Sequence, residues 1–199
     1  FPEFDVYYKD HFFDRIKLSV PGTHNILNSL SCIALCTAYG IDKKDIKTAL
    51  LKFTGAHRRF EFKGKIAGNV SVYDDYGHHP TEIVAIAKSL SHKRYHQSWA
   101  IFQPHTYSRT KNLLADFTNA LLNFDHVIVL DIYAAREKNT YGISAKDLVD
   151  HLNAIGKQAD YIPDFDECVH FVKNHVQEND IVMTLGAGTV TQIGSMLVD

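Results

Sequence analysis

The sequence lacks the features that would assign it to several special classes of protein. It has no run of about 18 apolar residues, the length that a membrane-spanning helix needs. Neither sign of charge dominates: 21 basic and 23 acidic residues leave a formal charge of −2, which argues against nucleic acid as the default partner. The phosphate-loop patterns GxxxxGKS and GxxxxGKT are also absent, so we expect any phosphate loop to lie outside this chain.

Cysteine is scarce as well. The three cysteines are an odd number, with Cys32 and Cys36 one helical turn apart and Cys168 distant. This predicts reduced, buried thiols in a cytoplasmic protein rather than a disulfide framework. The remaining composition is ordinary for a soluble globular protein, because 45% of the 199 residues are hydrophobic and 22% are charged.

The chain changes character along its length. Its first 55 residues contain a short strand-like start and two amphipathic helical patterns, typical of the helical end of another α/β domain. The second part, residues 56–199, alternates apolar segments with helical patterns. We predict strands at 70–73, 99–102, 126–131, 160–162 and 181–185. Such alternation is typical of an α/β fold, a mainly parallel sheet with helices on both faces.

Polar and titratable residues collect directly after four of these strands. The loops concerned are 74–80, 103–110, 131–138 and 186–189. Ligands bind beyond the carboxyl ends of the strands in an open parallel sheet, so this edge is the predicted functional edge.

The first of these loops contains Asp74, Asp75, His78 and His79. Carboxylates and imidazoles together could bind zinc, manganese or iron, or could hydrogen-bond a ribose and a substrate carboxylate. Alternatively, the two histidines cap the helix that Pro80 opens. The stronger hypothesis is a functional role without a metal.

Other candidate residues also have two interpretations. In the second loop Arg109 offers a guanidinium fork for a carboxylate or phosphate, or pairs with a nearby acid at the surface. The segment 186–188 is either a phosphate cradle or a close contact between strand and helix, and it opens the last predicted helix. Asn25 could cap the first helix or, with Asn28, contact an adenine edge. Taken alone, Arg58 and Arg59 form a charged linker.

Together, five blocks of sequence resemble the Mur ligases of bacterial peptidoglycan synthesis. They are Pro-Gly-Thr-His-Asn-Ile-Leu-Asn at 21–28, His-Arg-Arg-Phe-Glu at 57–61, Asp-Asp-Tyr-Gly-His-His-Pro at 74–80, Gln-Pro-His-Thr-Tyr-Ser-Arg-Thr at 103–110 and Leu-Gly-Ala-Gly-Thr at 185–189. The resemblance implies that residues 1–55 are the end of the central ATPase domain. It also implies that residues 56–199 are the Rossmann-like C-terminal domain, and that the domain for the UDP-sugar is missing.

The resemblance further implies a cytoplasmic, ATP-dependent acid–amino-acid ligase. ATP would phosphorylate the lactyl carboxylate of UDP-N-acetylmuramate, and the amine of L-alanine would attack the acyl phosphate. Mg²⁺ would hold the phosphates, mostly through the missing part of the central domain. This chain by itself is therefore expected to be inactive.

The family's ligand contacts can be carried over to matching positions. For ATP, the resemblance implies adenine contacts from Asn25 and Asn28, with His24. It also implies phosphate contact from Arg59 and ribose contact from Asp75.

For the amino acid, the resemblance implies placement by Tyr76, His78, His79 and Arg109. Arg109 would bind the carboxylate and His78 would lie near the amine. Thr106 stands where relatives often carry a second arginine, so Arg109 or water would have to suffice here.

Three alternatives remain at this point. A related ligase of wall recycling, which adds a preformed peptide to the same sugar nucleotide, has similar motifs. A stand-alone nucleotide- or peptide-binding module would use the same loops without chemistry. A metal-dependent hydrolase would use the acids and histidines of the first loop.

Overall fold

The structure, a computed structural model, describes residues 2–20, 22–91 and 93–199. Phe1, where the first predicted domain begins, and Pro21, where the block at 21–28 begins, lie outside the described residues. Contacts divide the chain into an N-terminal unit, Phe1–Ala56, and a C-terminal unit, His57–Asp199. None of the helices within the described ranges is both long enough and apolar enough to cross a membrane.

The N-terminal unit is an antiparallel hairpin with two helices. Its elements are β1 (Glu3–Tyr8), β2 (His11–Lys17), α1 (Thr23–Ala38) and α2 (Lys43–Lys52). The sequence predicted only a short strand-like start, because the turn residues Lys9 and Asp10 both have positive φ, 48° and 63°, without the glycine that usually marks such a turn. A small core fills this unit; its buried members are Val6, Ile16, Leu18, Val20, Ile33 and Ile46.

Two expectations for α1 are corrected. The apolar spacing predicted one buried face, but Leu27 is 62% exposed and only Ser29 and Ile33 are buried, because the core of this unit faces those two. Cys32 and Cys36 were both predicted to be buried, but Cys32 is exposed and Cys36 is half-buried. Cys168, in the other unit, is buried as predicted, and burial raises the pKa of its thiol to about 12.

The C-terminal unit is a sheet covered by helices. Its strands are β3 (Glu61–Ile66), β4 (Val70–Asp75), β5 (Ser98–Phe102), β6 (His126–Val129), β7 (Ala159–Tyr161) and β8 (Ile181–Leu185). Its helices are α3 (Pro80–Leu90), α4 (Tyr107–Asn112), α5 (Leu114–Leu121), α6 (Ala145–Ala154), α7 (Phe165–His175) and α8 (Thr191–Val198), with a short 3-10 turn at Ala67–Asn69.

Across the described residues, the strand order is β3-β4-β8-β5-β6-β7, and every neighbouring pair except β3–β4 is parallel. The prediction of a mainly parallel α/β sheet is therefore confirmed, and all five predicted strands are present. β3 was not predicted. It is a polar, antiparallel edge strand, so it has neither the apolar run nor the helical connection that marked the others.

Alternating side chains of the central strands fill two cores. Ala100 and Phe102 of β5 belong to the core on one face of the sheet, whereas Trp99 and Ile101 belong to the core on the other. This follows from the two-residue period of a strand, and it explains why β5 is buried throughout and apolar from Trp99 to Phe102. The apolar spacing at 113–122 predicts one helix, and α5 occupies it; α4 precedes α5 as a separate helix, because Leu113 between them departs from helical backbone with φ −114° and ψ 22°.

A buried carboxylate ties the amino ends of β5 and β8 together. Asp180, which is 1% exposed, accepts a hydrogen bond from the Trp99 indole N–H at 2.9 Å. It also accepts from the backbone N–H groups of Gln97 and Gln177, at 3.0 and 2.9 Å. The Nδ1 atom of His96 lies 2.9 Å from Asp180 Oδ1, the oxygen that also accepts from Gln97. Such a network is stable only while each buried donor has its acceptor.

We expect Asp180→Ala to lower the free energy of unfolding by about 3 kcal/mol, because the buried indole and amide donors lose their charged acceptor. Urea denaturation followed by tryptophan fluorescence measures this. Asp150→Ala, at an exposed position on α6, is the matched control and should change stability by less than about 0.5 kcal/mol. Equal unfolding midpoints for the two variants would show that the network contributes nothing.

Candidate functional site

The parallel register brings the predicted loops to one edge of the sheet. Asp75 of β4 pairs with Leu185 of β8, which in turn pairs with Phe102 of β5, and Phe102 pairs with Val129 of β6. Each of these four residues is the last of its strand, so the four loops that follow begin side by side. The candidate site is built from these loops and from residues 57–60, which precede β3.

Asp74 is a buried structural anchor. It is fully buried and accepts hydrogen bonds from Thr184 Oγ1 at 2.6 Å, Thr191 Oγ1 at 2.9 Å and Arg58 Nε at 3.1 Å. Arg58 also donates to the Gly186 carbonyl through Nη2. Arg58 is therefore an internal ion-pair partner, and its interpretation as part of a charged linker is wrong.

Asp75 is also buried but is held by amides instead. Its two carboxylate oxygens accept from the Gly77 N–H at 2.7 Å and the Phe60 N–H at 2.8 Å. Burial raises the pKa of this carboxyl above its ordinary value, against the opposing effect of the two amides. Each oxygen keeps a further lone pair that could accept from a ligand hydroxyl.

Arg59 differs from Arg58 in its exposure. Its side chain is 54% exposed, against 14% for Arg58, and its Nη1 lies 3.7 Å from Glu82 Oε1. Both guanidinium groups lie over the Tyr76 ring, at 5.0 Å for Arg58 and 5.7 Å for Arg59. Both arginines thus share one aromatic ring, but only Arg59 is largely exposed to solvent.

The two histidines of the first loop have different environments. His79 is the N-cap of α3 and forms a capping box with Glu82, so the capping alternative is supported for this residue. The amide of His78 donates to the same carboxylate at 2.9 Å, and its ring lies 5.5 Å from that of His105. His78 therefore faces the second loop, and ligand contact by His79 remains a prediction.

The second loop is fixed by the loop after β6. His105 and Tyr133 form an isolated parallel β-bridge, and their rings stack with centroids 5.7 Å apart. The Tyr133 amide donates to the Pro104 carbonyl at 2.8 Å, and the Thr106 amide donates to the Tyr133 carbonyl at 2.9 Å. Thr106 has φ 67°, a left-handed conformation that threonine rarely adopts, so this backbone is held by its neighbours.

This loop contains two buried polar atoms without a protein partner. Within the described parts of the chain, His105 Nδ1 and Arg109 Nη1 are the buried side-chain nitrogens or oxygens that form no hydrogen bond. Burial, followed by the charges of His78 and Arg109, lowers the pKa of His105. Unsatisfied buried polar atoms are rare, and an anionic ligand bound here would satisfy the arginine.

The glycines after β8 are explained by packing. A Cβ atom on Gly188 would lie 2.4 Å from Gln103 Oε1 and 2.6 Å from Tyr133 Cγ, and one on Gly186 would lie 2.7 Å from the Gln103 carbonyl oxygen. Gln103 Oε1 accepts from the Val190 amide at 3.0 Å, so the Gln103 side chain occupies the space where a phosphate cradle was considered. Helix α8 begins only at Thr191, later than predicted.

The metal alternative finds no support. Among the side chains that the structure describes, no group of three or more His, Cys, Asp or Glu residues could hold a metal ion. The two carboxylates are fixed by different donors, Asp74 by side chains and Asp75 by backbone amides, so the two acids of this loop do not converge with its histidines on one point.

In the N-terminal unit, His24, Asn25 and Asn28 lie on the first turns of α1. Gly22 occupies the N-cap position with φ 99°, so the interpretation of Asn25 as the cap is wrong. Asn28 and His24 are exposed and Asn25 is half-buried. Their proposed contact with adenine remains a prediction.

Comparison with known proteins gives consistent matches. A family model described as "Mur ligase, glutamate ligase domain" matches residues 58–188. The chain is 48% identical to the UDP-N-acetylmuramate–L-alanine ligase of Caldanaerobacter subterraneus subsp. tengcongensis over 199 residues, covering 98% of this chain and 42% of the relative. It is 49% identical to the protein of the same name from Agathobacter rectalis over 183 residues, covering 92% of this chain and 40% of the relative.

A solved structure agrees. The UDP-N-acetylmuramate-alanine ligase MurC of Thermotoga maritima superimposes with a TM-score of 0.76 at 30% identity, covering 94% of this chain and 40% of that one. The chain thus spans about two fifths of the length of the curated relatives that it matches.

The contrast between the two arginines gives a test of the site's architecture. We expect Arg58→Ala to lower the free energy of unfolding by about 3 kcal/mol, because Asp74 remains buried without its cation. The adjacent Arg59→Ala should change it by less than about 0.5 kcal/mol, since that ion pair is solvent-exposed. Chemical denaturation of both variants measures the difference, and equal effects would contradict the assignment of Arg58 as the structural member.

Proposed function

The chain belongs to the Mur ligase family, and we propose that it provides the amino-acid site and part of the ATP site of a UDP-N-acetylmuramate–L-alanine ligase. The observation that carries the proposal is the buried, unpartnered guanidinium nitrogen of Arg109, beside His105 and within the loop that faces His78. The curated relatives at 48% and 49% identity, both named as this ligase, support the choice of substrates.

The proposed reaction joins a carboxylate to an amine. The γ-phosphoryl group of ATP is transferred to an oxygen of the lactyl carboxylate of UDP-N-acetylmuramate, which gives an acyl phosphate and ADP. The nitrogen of L-alanine then attacks the carbonyl carbon, the carbon–oxygen bond to phosphate breaks, and the amine loses a proton. Activation is needed because a free carboxylate has no good leaving group.

Arg109 is the proposed anchor of the amino acid. Its guanidinium would bind the carboxylate of L-alanine and so satisfy the orphaned Nη1 atom. His78 and Tyr76 would position the amine end, with His79 holding the start of α3 behind them. Thr106 contributes no cation, so Arg109 is the arginine available for this carboxylate in the loop.

Two other residues are the proposed ATP contacts of the C-terminal unit. The buried Asp75 carboxylate would accept from the ribose hydroxyls, using the lone pairs that the Gly77 and Phe60 amides leave. Arg59, exposed beside Tyr76, would contact the phosphates. In the N-terminal unit, the residues proposed to contact adenine are His24, Asn25 and Asn28.

Mg²⁺, when bound, would offset charge on the phosphates of ATP. The described residues of this chain offer no cluster of metal ligands for it, so its ligands would come from elsewhere in the ligase.

The proposed function is tested by phosphate release in the full-length protein that carries this chain. ATP and UDP-N-acetylmuramate are supplied with L-alanine or with the tripeptide used in wall recycling. We expect release that depends on L-alanine. Dependence on the tripeptide would assign the protein to the recycling ligases, and release with neither would favour a binding module.

Single substitutions should separate the two ligand sites. We expect Arg109→Ala to raise the KM for L-alanine by about 10- to 100-fold, the value of a charge-assisted hydrogen bond, without changing the KM for ATP. Asp75→Asn and Arg59→Ala should instead raise the KM for ATP and leave the KM for L-alanine unchanged. Steady-state kinetics of the intact ligase measure both constants.

Arg94→Ala, at an exposed arginine outside these loops, is the charge-matched control and should leave both constants unchanged. An Arg109→Ala variant with the wild-type KM for L-alanine would remove this residue from the site.

A further inference from the structure

The helix that carries Arg109 begins without a cap of its own. α4 has six residues, and Thr106, at its N-cap position, makes no side-chain cap hydrogen bond. The first amides of a helix have no partner within the helix, so a short helix needs an outside acceptor to begin at a defined residue. Arg109 lies in the first turn of α4, and its position depends on how that turn is held.

Glu137 supplies the acceptor from a different loop. Its Oε2 accepts from the Ser108 amide at 2.9 Å, and its Oε1 accepts from the Ser108 hydroxyl at 2.5 Å. These hydrogen bonds lower the pKa of the Glu137 carboxyl, with smaller contributions from Tyr107 and Thr106. The carboxylate thus binds both the backbone amide and the side chain of Ser108, the second residue of α4.

Glu137 is itself fixed by the loop after β6. Its amide donates to the Ala134 carbonyl at 2.9 Å, and the intervening Ala135 has φ 54°, so the segment turns back on itself. The same loop holds His105 and Thr106 through Tyr133. The Glu137–Ser108 pair is therefore the contact that extends this attachment from the loop into α4.

Both carboxylate oxygens of Glu137 point to Ser108 rather than to Arg109. No ion pair joins Glu137 to Arg109 among the residues that the structure describes, and Arg109 Nη1 has no hydrogen-bond partner there. Glu137 therefore does not neutralise Arg109, which leaves the charge of the arginine for a substrate carboxylate.

We propose that Glu137 is a positioning residue for the amino-acid substrate: it caps α4 through Ser108 and thereby sets where Arg109 presents its guanidinium. This inference rests on the proposed function, since it takes the carboxylate of the incoming amino acid as the ligand of Arg109. It assigns to the loop after β6 a part in selecting the substrate, although Glu137 does not touch it.

The test uses the intact ligase with L-alanine and ATP. We expect Glu137→Ala to raise the KM for L-alanine about tenfold, as for loss of a charge-assisted hydrogen bond, with a smaller fall in kcat and an unchanged KM for ATP. Ser108→Ala should have a weaker effect, because the Ser108 amide still donates to Glu137. Glu137→Gln keeps the shape of the side chain, so its KM for L-alanine should lie between those of wild type and Glu137→Ala. Lys138→Ala, at the exposed neighbouring position, is the control without effect.

A double-mutant cycle identifies the route of the effect. If Glu137 acts through Arg109, Arg109→Ala combined with Glu137→Ala should be no worse than Arg109→Ala alone. Additive losses, an unchanged KM for L-alanine, or an equal loss toward ATP would overturn the proposal. Should Glu137→Ala fail to fold, Glu137→Gln and Ser108→Ala provide the same comparison.

Failure of the proposed function has a different signature, because wild type itself would then show no turnover that depends on L-alanine. Hydrogen exchange at the Ser108 amide reports the cap independently of turnover. We expect faster exchange in Glu137→Gln than in Lys138→Ala, and equal rates would show that the cap is not formed.

Discussion

The arrangement of the C-terminal unit depends on how the fully buried carboxylate of Asp74 is compensated. An uncompensated charge in a dry interior costs several kcal/mol, so the sequence must bring donors to it. Thr184 comes from the neighbouring strand, Thr191 from the last helix and Arg58 from the segment before the edge strand. Because Arg58 also holds the Gly186 carbonyl, the same interaction fixes two loops of the candidate site. The sheet edge is therefore assembled around a group that touches no ligand itself.

Adjacent residues of the same type have separate tasks in this site. Arg58 is enclosed with the buried acid, while Arg59 remains at the surface over the same aromatic ring. His79 caps a helix, while the ring of His78 faces the neighbouring loop. Arg58 lies in a turn with φ 56°, whereas His79 is extended with φ −122°. In both backbone settings a doubled residue places one copy in the framework and leaves the other available to a ligand. This division explains why the first loop is rich in metal-binding residue types and yet forms no metal site among the described residues.

Much of this could be read from the sequence because its signals were local. Apolar runs predicted the parallel strands, and the polar residues following them predicted which loops share one edge of the sheet. The edge strand Glu61–Ile66 was not predicted, because it is polar and paired on one side only. The hairpin turn at Lys9 and Asp10 lacks the usual glycine. The partnership of Thr184 with Asp74 spans 110 positions, and that of Glu137 with Ser108 spans 29, so no spacing rule could indicate either. Single residues at strand ends were predictable, whereas the contacts that hold them were not.

The position of β8 in the sheet has a consequence for synthesis of the protein. Among the described strands β8 is the last in the chain, but it lies between β4 and β5, near the centre of the sheet. While the chain emerges from a ribosome, β4 and β5 are made first and must wait with their facing edges unpaired until the final strand arrives. The two halves of the sheet are joined only by that late insertion, so this unit completes its folding after translation of nearly its whole length. A nascent chain interrupted before β8 would expose two strand edges to its neighbours, and we expect it to depend on chaperones more than a sheet closed in chain order.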